Sequence, residues 1–335
     1  MKMFSKRLIS GLLVAGVLAL GSSHALAQAI KTSGSIAVGA GQTNLQSQGK
    51  VQGFDMVGEA SINFAIKQGE FDGQVELGVA DDPNQALDTA RHEMKWALKK
   101  DISVTMSGYG FGIESVQGNV SVVNAPAGPV GDLEANLDFS DMGLVNGEMT
   151  SGAMVFGVGI SDKCVPDCGY TIDVDGNIIS AESENSTMVL HGRGKSDKVN
   201  FNGYYTISSG LYLADQQKGQ GQAIGGGFAY DGGSFTAAGD YVQATVVCNP
   251  NMNCGSNLVT TAMGVGFTSG AIGGHYHSES TVVGTASVGV TNMDLVYSMP
   301  MGKATVSPEY RSVTYTFPGS SITDTFILVG MSMDF

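Results

Sequence analysis

Hydrophobic and polar residues alternate along much of the chain with a period of two. The last eleven residues, 325–335, show it clearly, because every second position from Ile327 to the terminal Phe335 is apolar. Alternation of this kind is typical of a β-strand, in which successive side chains point to opposite faces. An apolar row about ten residues long also matches the length that a strand needs to cross a bilayer. The pattern therefore predicts a terminal strand with one apolar face.

The best internal hairpin is predicted at residues 54–79. Apolar residues such as Ile62 and Phe64 alternate with polar ones up to a turn at Gln68-Gly69, and the same alternation resumes at Phe71. Two consecutive strands with one apolar and one charged row suit a wall between lipid and water. A soluble sandwich with its polar row in solvent would show the same pattern, so these residues leave both architectures open.

The connections between predicted strands fall into two alternating classes. Tight turns are predicted at Gln68-Gly69, Lys99-Lys100-Asp101, Ser196-Asp197, Asp231-Gly232-Gly233, Ser269-Gly270 and Met301-Gly302. Longer polar segments are predicted near 42–52, 81–90, 113–131, 161–185, 208–220, 246–257, 279–286 and 316–323. Short turns on one side and long loops on the other are the arrangement of outer-membrane barrels, whereas a soluble meander has no reason to sort its loops in this way.

Counting strands on this scheme gives sixteen. They are predicted near 30–41, 53–67, 71–80, 91–99, 102–112, 132–140, 151–161, 186–195, 198–207, 221–231, 234–245, 258–268, 270–278, 287–299, 303–315 and 324–335. An even number is typical of bacterial single-chain barrels, and fourteen or eighteen strands would fit the same rule. The predicted fold is an all-β, transmembrane antiparallel β-barrel of about 16 strands, with short periplasmic turns and long external loops.

The first 27 residues predict a secretory signal peptide. Three basic residues precede an apolar run from Leu8 to Leu20, and a small-residue cleavage site, Ala25-Leu26-Ala27, follows. This order of a positive region, a short apolar core and an A-x-A site is typical of exported proteins. Residues 28–335 are then expected to form the barrel domain.

The charge balance narrows the classes of partner. The chain has 31 acidic and 17 basic residues; without Lys2, Lys6 and Arg7 the mature part has 14 basic residues, and its net charge falls from −14 to −17. Nucleic-acid binding is therefore not expected, because phosphate contacts require a basic surface. No stretch of 18 apolar residues follows the signal peptide, so a membrane location would require a barrel.

Taken together, these patterns resemble the trimeric general porins of Gram-negative bacteria. The likeness covers the whole mature chain and rests on the signal peptide, the loop rhythm, the hairpin around 94–108 and the C-terminal segment 329–335. The terminal Phe335 resembles the assembly signal of outer-membrane barrels. The resemblance implies a homotrimer in the bacterial outer membrane, with small hydrophilic solutes, ions and lipid as partners. It also implies that the third long connection, about Gly112 to Gly131, folds into the lumen.

Charged residues near that connection and on the inner wall are the candidates for the pore constriction. Glu114, Asp132 and Glu134 are the acidic groups that the connection could display. If Met94, Trp96 and Leu98 face lipid, the parity of the strands turns a set of basic residues inward. These are Arg91, Lys95 and Lys99, and the same alternation on two later strands turns Arg193 and Arg311 inward. Opposed charges across a water-filled pore create a transverse field that selects solutes by charge.

The four cysteines form two local pairs in predicted loops, Cys164 with Cys168 and Cys248 with Cys254. In an oxidising, exported compartment two short-range disulfides are the economical interpretation. A four-cysteine zinc site would require the two loops to meet and the thiols to stay reduced. His275 and His277 lie on one strand face, but no further ligands complete a metal site. Neither a metal nor a cofactor is expected.

The sequence thus predicts a passive diffusion channel for small hydrophilic solutes and ions. No grouping of Ser, His and acid residues indicates catalysis, so the chain is not expected to be an enzyme. A substrate-specific outer-membrane channel is the first alternative. A plugged structural or enzymatic barrel is the second, with the segment 113–131 as the plug.

Overall fold

The computed structural model describes residues 30–46, 50–80, 89–108, 144–161, 169–172, 178–180, 183–212, 218–248 and 254–335, and it is built from β-strands. The strands are β1 (Ile30–Leu45), β2 (Lys50–Gln68), β3 (Phe71–Ala80), β4 (Thr89–Lys99), β5 (Ile102–Gly108), β6 (Leu144–Ser151), β7 (Met154–Ser161), β8 (Tyr170–Ile172), β9 (Ile178–Ser180), β10 (Ser183–Ser196), β11 (Val199–Tyr212), β12 (Lys218–Asp231), β13 (Phe235–Val246), β14 (Leu258–Ser269), β15 (Ile272–Val283), β16 (Ala286–Tyr297), β17 (Met299–Met301), β18 (Ala304–Phe317) and β19 (Ser320–Asp334). Within these ranges no helix is long and apolar enough to span a membrane.

All strands except β8 and β9 form one closed antiparallel sheet. Apart from β16 and β17, each strand pairs with the next along the chain; β7 pairs with β10, and β19 returns to pair with β1. The short β17 continues β16 beyond Ser298, since both pair with β18. The described residues therefore form a sixteen-stranded barrel, which confirms the fold class predicted from the sequence. The strands β8 and β9 pair with each other in a separate two-stranded sheet.

The barrel closes where the two ends of the chain meet. Ser35 of β1 lies opposite Asp334 of β19. Gly34 and Phe335 exchange two backbone hydrogen bonds of 3.0 Å, each N–H donating to the other residue's carbonyl oxygen. Gly34 leaves room for the terminal ring, because a Cβ at this position would stand 2.6 Å from Phe335 Cζ and 2.5 Å from the backbone oxygen of Ser61. The packing of Phe335 at this seam therefore requires a glycine at position 34.

We expect Gly34→Ala to lower the free energy of unfolding by about 1–3 kcal/mol, the usual effect of overpacking a filled site. The added methyl must displace the Phe335 ring and also the β2 backbone. Urea unfolding in detergent, followed by fluorescence of Trp96, the sole tryptophan of the sequence, measures the change. Gly147→Ala is the matched control, because the nearest atom to a Cβ there is 3.9 Å away. Equal unfolding midpoints for the two variants would contradict the role assigned to Gly34.

The two faces of the barrel wall differ in chemistry. Large apolar side chains are exposed on one face, among them Met94, Trp96, Ile160, Val265, Leu295 and Ile327. Polar side chains lie on the other face and are buried, among them Thr105, Asn146, Glu148, Thr206, His275, Asn292 and Arg311. Because the sheet is closed, the exposed apolar face is the exterior of the barrel and the polar face lines its interior. This alternation has the form that a wall between lipid and a polar lumen requires.

The position of the sixth strand differs from the prediction. The strand between β5 and β7 is β6, Leu144–Ser151, and not 132–140, which lies outside the described residues. In β6, Val145 and Met149 are exposed on the exterior, whereas Leu144, Asn146 and Glu148 are buried inside. The sequence interpretation missed this strand because Asn146, Gly147 and Glu148 lie at its centre, and only Val145 and Met149 beside them mark its apolar face.

Connection lengths follow the predicted sorting except at two places. All the turns at one end of the barrel are short, such as 69–70, 152–153 and 302–303. The other end carries connections such as 109–143 and 162–182, but also the two-residue turns 284–285 and 318–319, where long loops were predicted. Gly284 and Gly319 have positive φ angles of 60° and 83°, which suit a tight hairpin turn. The strands β15, β16, β18 and β19 consequently extend into segments that were expected to be loops.

Candidate functional site: two charged clusters on the inner wall

The first cluster surrounds Glu148 on the inner face of β6. Arg193 of β10 donates to both oxygens of this carboxylate, Nη1 to Oε1 at 2.6 Å and Nη2 to Oε2 at 2.9 Å. Asn146 Nδ2 donates to Glu148 Oε1 at 3.2 Å, and His191 Nε2 donates to Asn146 Oδ1 at 2.9 Å. Lys95 Nζ of β4 lies 3.9 Å from Glu148 Oε2. We call these five residues the Glu148 cluster.

Glycines on β7 allow this cluster to form. The strand β7 lies between β6 and β10, so its inward side chains would normally separate theirs. Its inward positions beside the cluster are Gly157 and Gly159; a Cβ at Gly157 would collide with the His191 ring, and one at Gly159 would lie 2.7 Å from Leu144 Cδ1. Side chains of β6 and β10, which are not hydrogen-bonded neighbours, can therefore meet over β7. The bidentate pair of Arg193 and Glu148 is one such contact. Pairs of this geometry are among the stronger ones in proteins.

The second cluster surrounds Arg311 on β18. Its Nε and Nη2 donate to Asp294 Oδ2 of β16 at 3.2 and 2.9 Å, and Nη2 also lies 3.0 Å from Glu309 Oε1. The side chains of all three residues are buried, with exposed fractions of 4%, 7% and 0% for Arg311, Asp294 and Glu309.

The neighbouring strand β15 adds two buried histidines to the second cluster. His275 lies opposite Asp294 in the sheet register, and His277 lies opposite Asn292. We call these six residues, His275, His277, Asn292, Asp294, Glu309 and Arg311, the Arg311 cluster. No group of three or more His, Cys, Asp or Glu in the part of the chain that the structure describes is arranged to hold a metal ion.

The two clusters stand on opposite walls of the barrel. The Glu148 cluster lies on β4, β6 and β10, and the Arg311 cluster lies on β15, β16 and β18. Four strands separate them in one direction around the ring (β11 to β14) and four in the other (β19 and β1 to β3). Sixteen strands with a spacing of about 4.8 Å and a tilt of about 40° enclose a cylinder about 30 Å across.

The formal charges of the two clusters have opposite signs. With neutral histidines, the Glu148 cluster has two cations and one carboxylate, a sum of +1. The Arg311 cluster has one cation and two carboxylates, a sum of −1. Opposite charges on facing walls set up a field across the lumen, and a low-dielectric wall focuses such a field.

The structure places some of the predicted site residues in these clusters. Lys95, Arg193 and Arg311 all lie on the inner wall. The backbone of Arg91 lies in β4 opposite Glu76, and its side chain is outside the described part. The predicted constriction residues Glu114, Asp132 and Glu134 lie outside the described residues, as do Cys164 and Cys168. Cys248 and Cys254 are bonded to each other.

The prediction that Lys99 faces inward was wrong. An irregularity between Ala97 and Lys99 shifts the register, so Lys99 lies opposite Ile102. Ile102 is 36% exposed and pairs in turn with the exterior residue Met149, so this position belongs to the outer face. One extra residue in a strand moves the following side chains to the opposite face.

The sequence interpretation missed three central residues: Asn146, Glu148 and Asp294. Asn146 and Glu148 stand two apart between the apolar positions Val145 and Met149, so the alternation of β6 contained the signal. Asp294 stands between Met293 and Leu295, which are 43% and 45% exposed on the exterior. An acidic residue between two apolar residues of the outer face marks an inner-wall position, and this signal was available in the sequence.

Comparisons with known proteins bear on the fold. No protein-family model matches the sequence, and none of the curated proteins matches it either. Among solved structures, the chain is similar to the outer membrane channel DcaP of Acinetobacter baumannii, with a TM-score of 0.64, 9% identity, and coverage of 91% of this chain and 97% of that one.

Two further solved structures have similar values. An anion-selective porin from Comamonas acidovorans has a TM-score of 0.55 and 9% identity, with coverage of 91% and 99%. The outer membrane protein OmpT of Vibrio cholerae, in its trimer form, has a TM-score of 0.56 and 11% identity, with coverage of 91% and 99%. At these identities the likeness concerns the fold alone, which resembles that of outer-membrane porins.

Proposed function

We propose that the protein is a porin of the bacterial outer membrane, a passive diffusion channel for small hydrophilic solutes and ions. The observation that carries this proposal is the closed sixteen-stranded wall, with an apolar exterior and a charged, hydrogen-bonding interior. Such a wall replaces hydrocarbon with a polar path through the bilayer, and barrels of 16–18 strands are wide enough for an aqueous channel. No chemical step is needed for this activity.

The two clusters would bias which solutes pass. A solute entering between them meets a net positive wall on one side and a net negative wall on the other. A dipolar solute is therefore oriented across the pore, and ions are drawn to opposite walls. The acidic residues Glu114, Asp132 and Glu134 of the third long connection, together with Arg91, remain part of this proposal as constriction residues.

The proposal includes export and assembly. Residues 1–27 would act as the signal peptide, residues 28–335 would form the barrel domain, and Phe335 would serve as the assembly signal. We propose a homotrimer, in line with the trimer form of the structurally similar OmpT.

A substrate-specific channel is the second candidate, and the burial of the wall charges favours it. Glu309 and His191 have completely buried side chains, although they lie on the inner wall of a barrel about 30 Å across. An open tube would leave such groups accessible to water. A lumen narrowed beside these clusters would pass fewer kinds of solute.

Conductance of the purified protein in a planar lipid bilayer under a salt gradient tests the proposal. A general porin gives large ohmic current steps, in groups of three for a trimer. A substrate-specific channel gives small steps that one class of solute blocks at low concentration. Folded, heat-modifiable protein that conducts no current would contradict both candidates and would favour a plugged barrel.

A further inference from the structure

The outer face of the barrel changes its chemistry towards the turns 284–285 and 318–319. The apolar exterior positions of β15 and β18 end at Tyr276 and Tyr310, which are 38% and 37% exposed. Beyond them, most exterior positions of β14, β15, β16, β18 and β19 carry a hydroxyl group. We call these residues the hydroxyl belt: Thr261, Ser278, Ser280, Ser287, Thr291, Ser312, Thr314, Thr316, Ser321, Thr323 and Thr325. The remaining exterior positions of this region are Val259, Val282 and Gly289.

The hydroxyl groups of the belt form rows that run across the strands. Ser278, Thr291, Thr314 and Thr323 lie side by side on four successive hydrogen-bonded strands. The Oγ1 atoms of Thr314 and Thr323 share a hydrogen bond of 3.0 Å. Each hydroxyl group donates one hydrogen bond and accepts two, so this pair can offer one donor and three acceptors to a partner outside the protein.

The belt contains no charged residue, and it lies within 254–335, a stretch that the structure describes throughout. Glu279 and Asp324, the acidic residues of the same strand segments, occupy inner-face positions. The turns at the opposite end of the barrel carry exposed charged residues: Glu70, Lys100, Asp101, Asp197, Lys198, Asp231 and Lys303. A surface in free water mixes charges of both signs, and one that binds lipid phosphates is rich in Lys and Arg. The belt matches neither environment.

The belt is also taller than the headgroup layer of a phospholipid bilayer. Thr316 follows Tyr310 by six residues on β18. At the usual rise and tilt of barrel strands, this corresponds to about 15 Å along the membrane normal. The polar layer on each side of a bilayer is only about 5–7 Å thick. A taller headgroup is therefore needed to cover the belt.

We propose that the hydroxyl belt binds the uncharged sugar headgroups of a glycolipid in the leaflet on this side of the membrane. The inference rests on the proposed function, which places lipid around the apolar exterior. Sugar hydroxyl groups donate and accept hydrogen bonds as Ser and Thr do, and they require no opposite charge on the protein. Anionic headgroups are disfavoured by a chain with 31 acidic and 17 basic residues and by the absence of Lys and Arg from the belt.

Native mass spectrometry of the folded protein in detergent, titrated with digalactosyldiacylglycerol, tests the belt. The triple variant T291V/T314V/T323V removes three hydroxyl groups of one row and keeps the β-branched shape of each side chain. We expect this variant to bind the glycolipid about tenfold more weakly than wild type, which corresponds to the loss of one or two hydrogen bonds. Phosphatidylglycerol should bind more weakly than the glycolipid, and equally to both proteins.

The double variant T260V/T281V is the matched control. Thr260 and Thr281 share a hydrogen bond of 2.9 Å between their Oγ1 atoms at the same end of the barrel. They belong to the inner face, because Thr260 stands two residues before the buried Ala262 and pairs directly with Thr281. This variant should bind the glycolipid as tightly as wild type. A heat-dependent shift in electrophoresis checks that all variants are folded.

Two results would overturn the proposal: equal glycolipid affinity of wild type and T291V/T314V/T323V, or phosphatidylglycerol binding as tight as that of the glycolipid. In the first case, a change in the oligomeric mass of the triple variant would assign the belt to a contact between copies of the chain. Folded protein that binds the glycolipid as expected but conducts no current would support the belt and contradict the channel.

Discussion

Replacing Arg311 with Met should lower the free energy of unfolding by about 3–5 kcal/mol, the usual cost of removing one partner from a buried ion pair. Asp294 and Glu309 would lose the guanidinium that both contact, while their side chains remain 7% and 0% exposed. Two carboxylates would then face each other in a site that water hardly reaches. Urea unfolding in detergent measures the loss, and Trp96 is a suitable reporter because it stacks on Phe71 with ring centroids 5.5 Å apart.

Lys303→Met is the control for charge, since Lys303 is exposed in the turn between β17 and β18. It should change stability by less than about 0.5 kcal/mol. The triple variant R311M/D294N/E309Q separates charge from packing: if unpaired charge causes the loss, the triple variant should regain much of it. An unfolding midpoint of R311M equal to that of K303M would show that the Arg311 cluster contributes nothing to stability.

Glu148→Gln should shift the ion preference of the channel towards anions. The substitution preserves the shape of the side chain but removes the only carboxylate of its cluster, so the sum of formal charges there rises from +1 to +2. A unit charge about 8 Å from a permeating ion in water contributes about 0.5 kcal/mol, with opposite signs for cations and anions, so its removal lowers the ratio of cation to anion permeability roughly fivefold. The reversal potential under a salt gradient gives this ratio directly.

Glu70→Gln serves as the matched control, because Glu70 is exposed in the turn between β2 and β3. It removes the same charge at the end of the barrel and should leave the reversal potential nearly unchanged, since salt screens an exposed charge within about 10 Å at 0.1 M. If E70Q shifts the potential as much as E148Q, total charge rather than the inner wall governs the preference.

The fold could be predicted because the two faces of each strand differ in polarity, so apolar and polar residues alternate along it. Where the exterior meets hydrocarbon and the interior meets water, the alternation is forced, as in 325–335 and in the hairpin 54–79. Beyond the apolar band both faces of a strand meet polar surroundings, and the alternation disappears. Glu279, Ser280 and Thr281 near the end of β15 read as a loop for this reason, although they continue a paired strand.

The candidate site was harder to predict than the fold. Parity placed Arg193 and Arg311 on the inner wall, but parity along one strand says nothing about which strands are neighbours. The pairing of Arg193 with Glu148 depends on the glycines of β7 and on the correct position of β6. Whether these residues meet depends on the sheet register, and a one-residue shift in register turns every side chain of a strand to the other face.

The seam between β1 and β19 also has a consequence for biogenesis. These strands come from the two ends of the chain, so closure is the contact with the greatest sequence separation and the largest loss of chain entropy. Every partly synthesised or truncated chain therefore exposes two unpaired strand edges, which favour aggregation. The barrel can therefore close only after β19 has been synthesised.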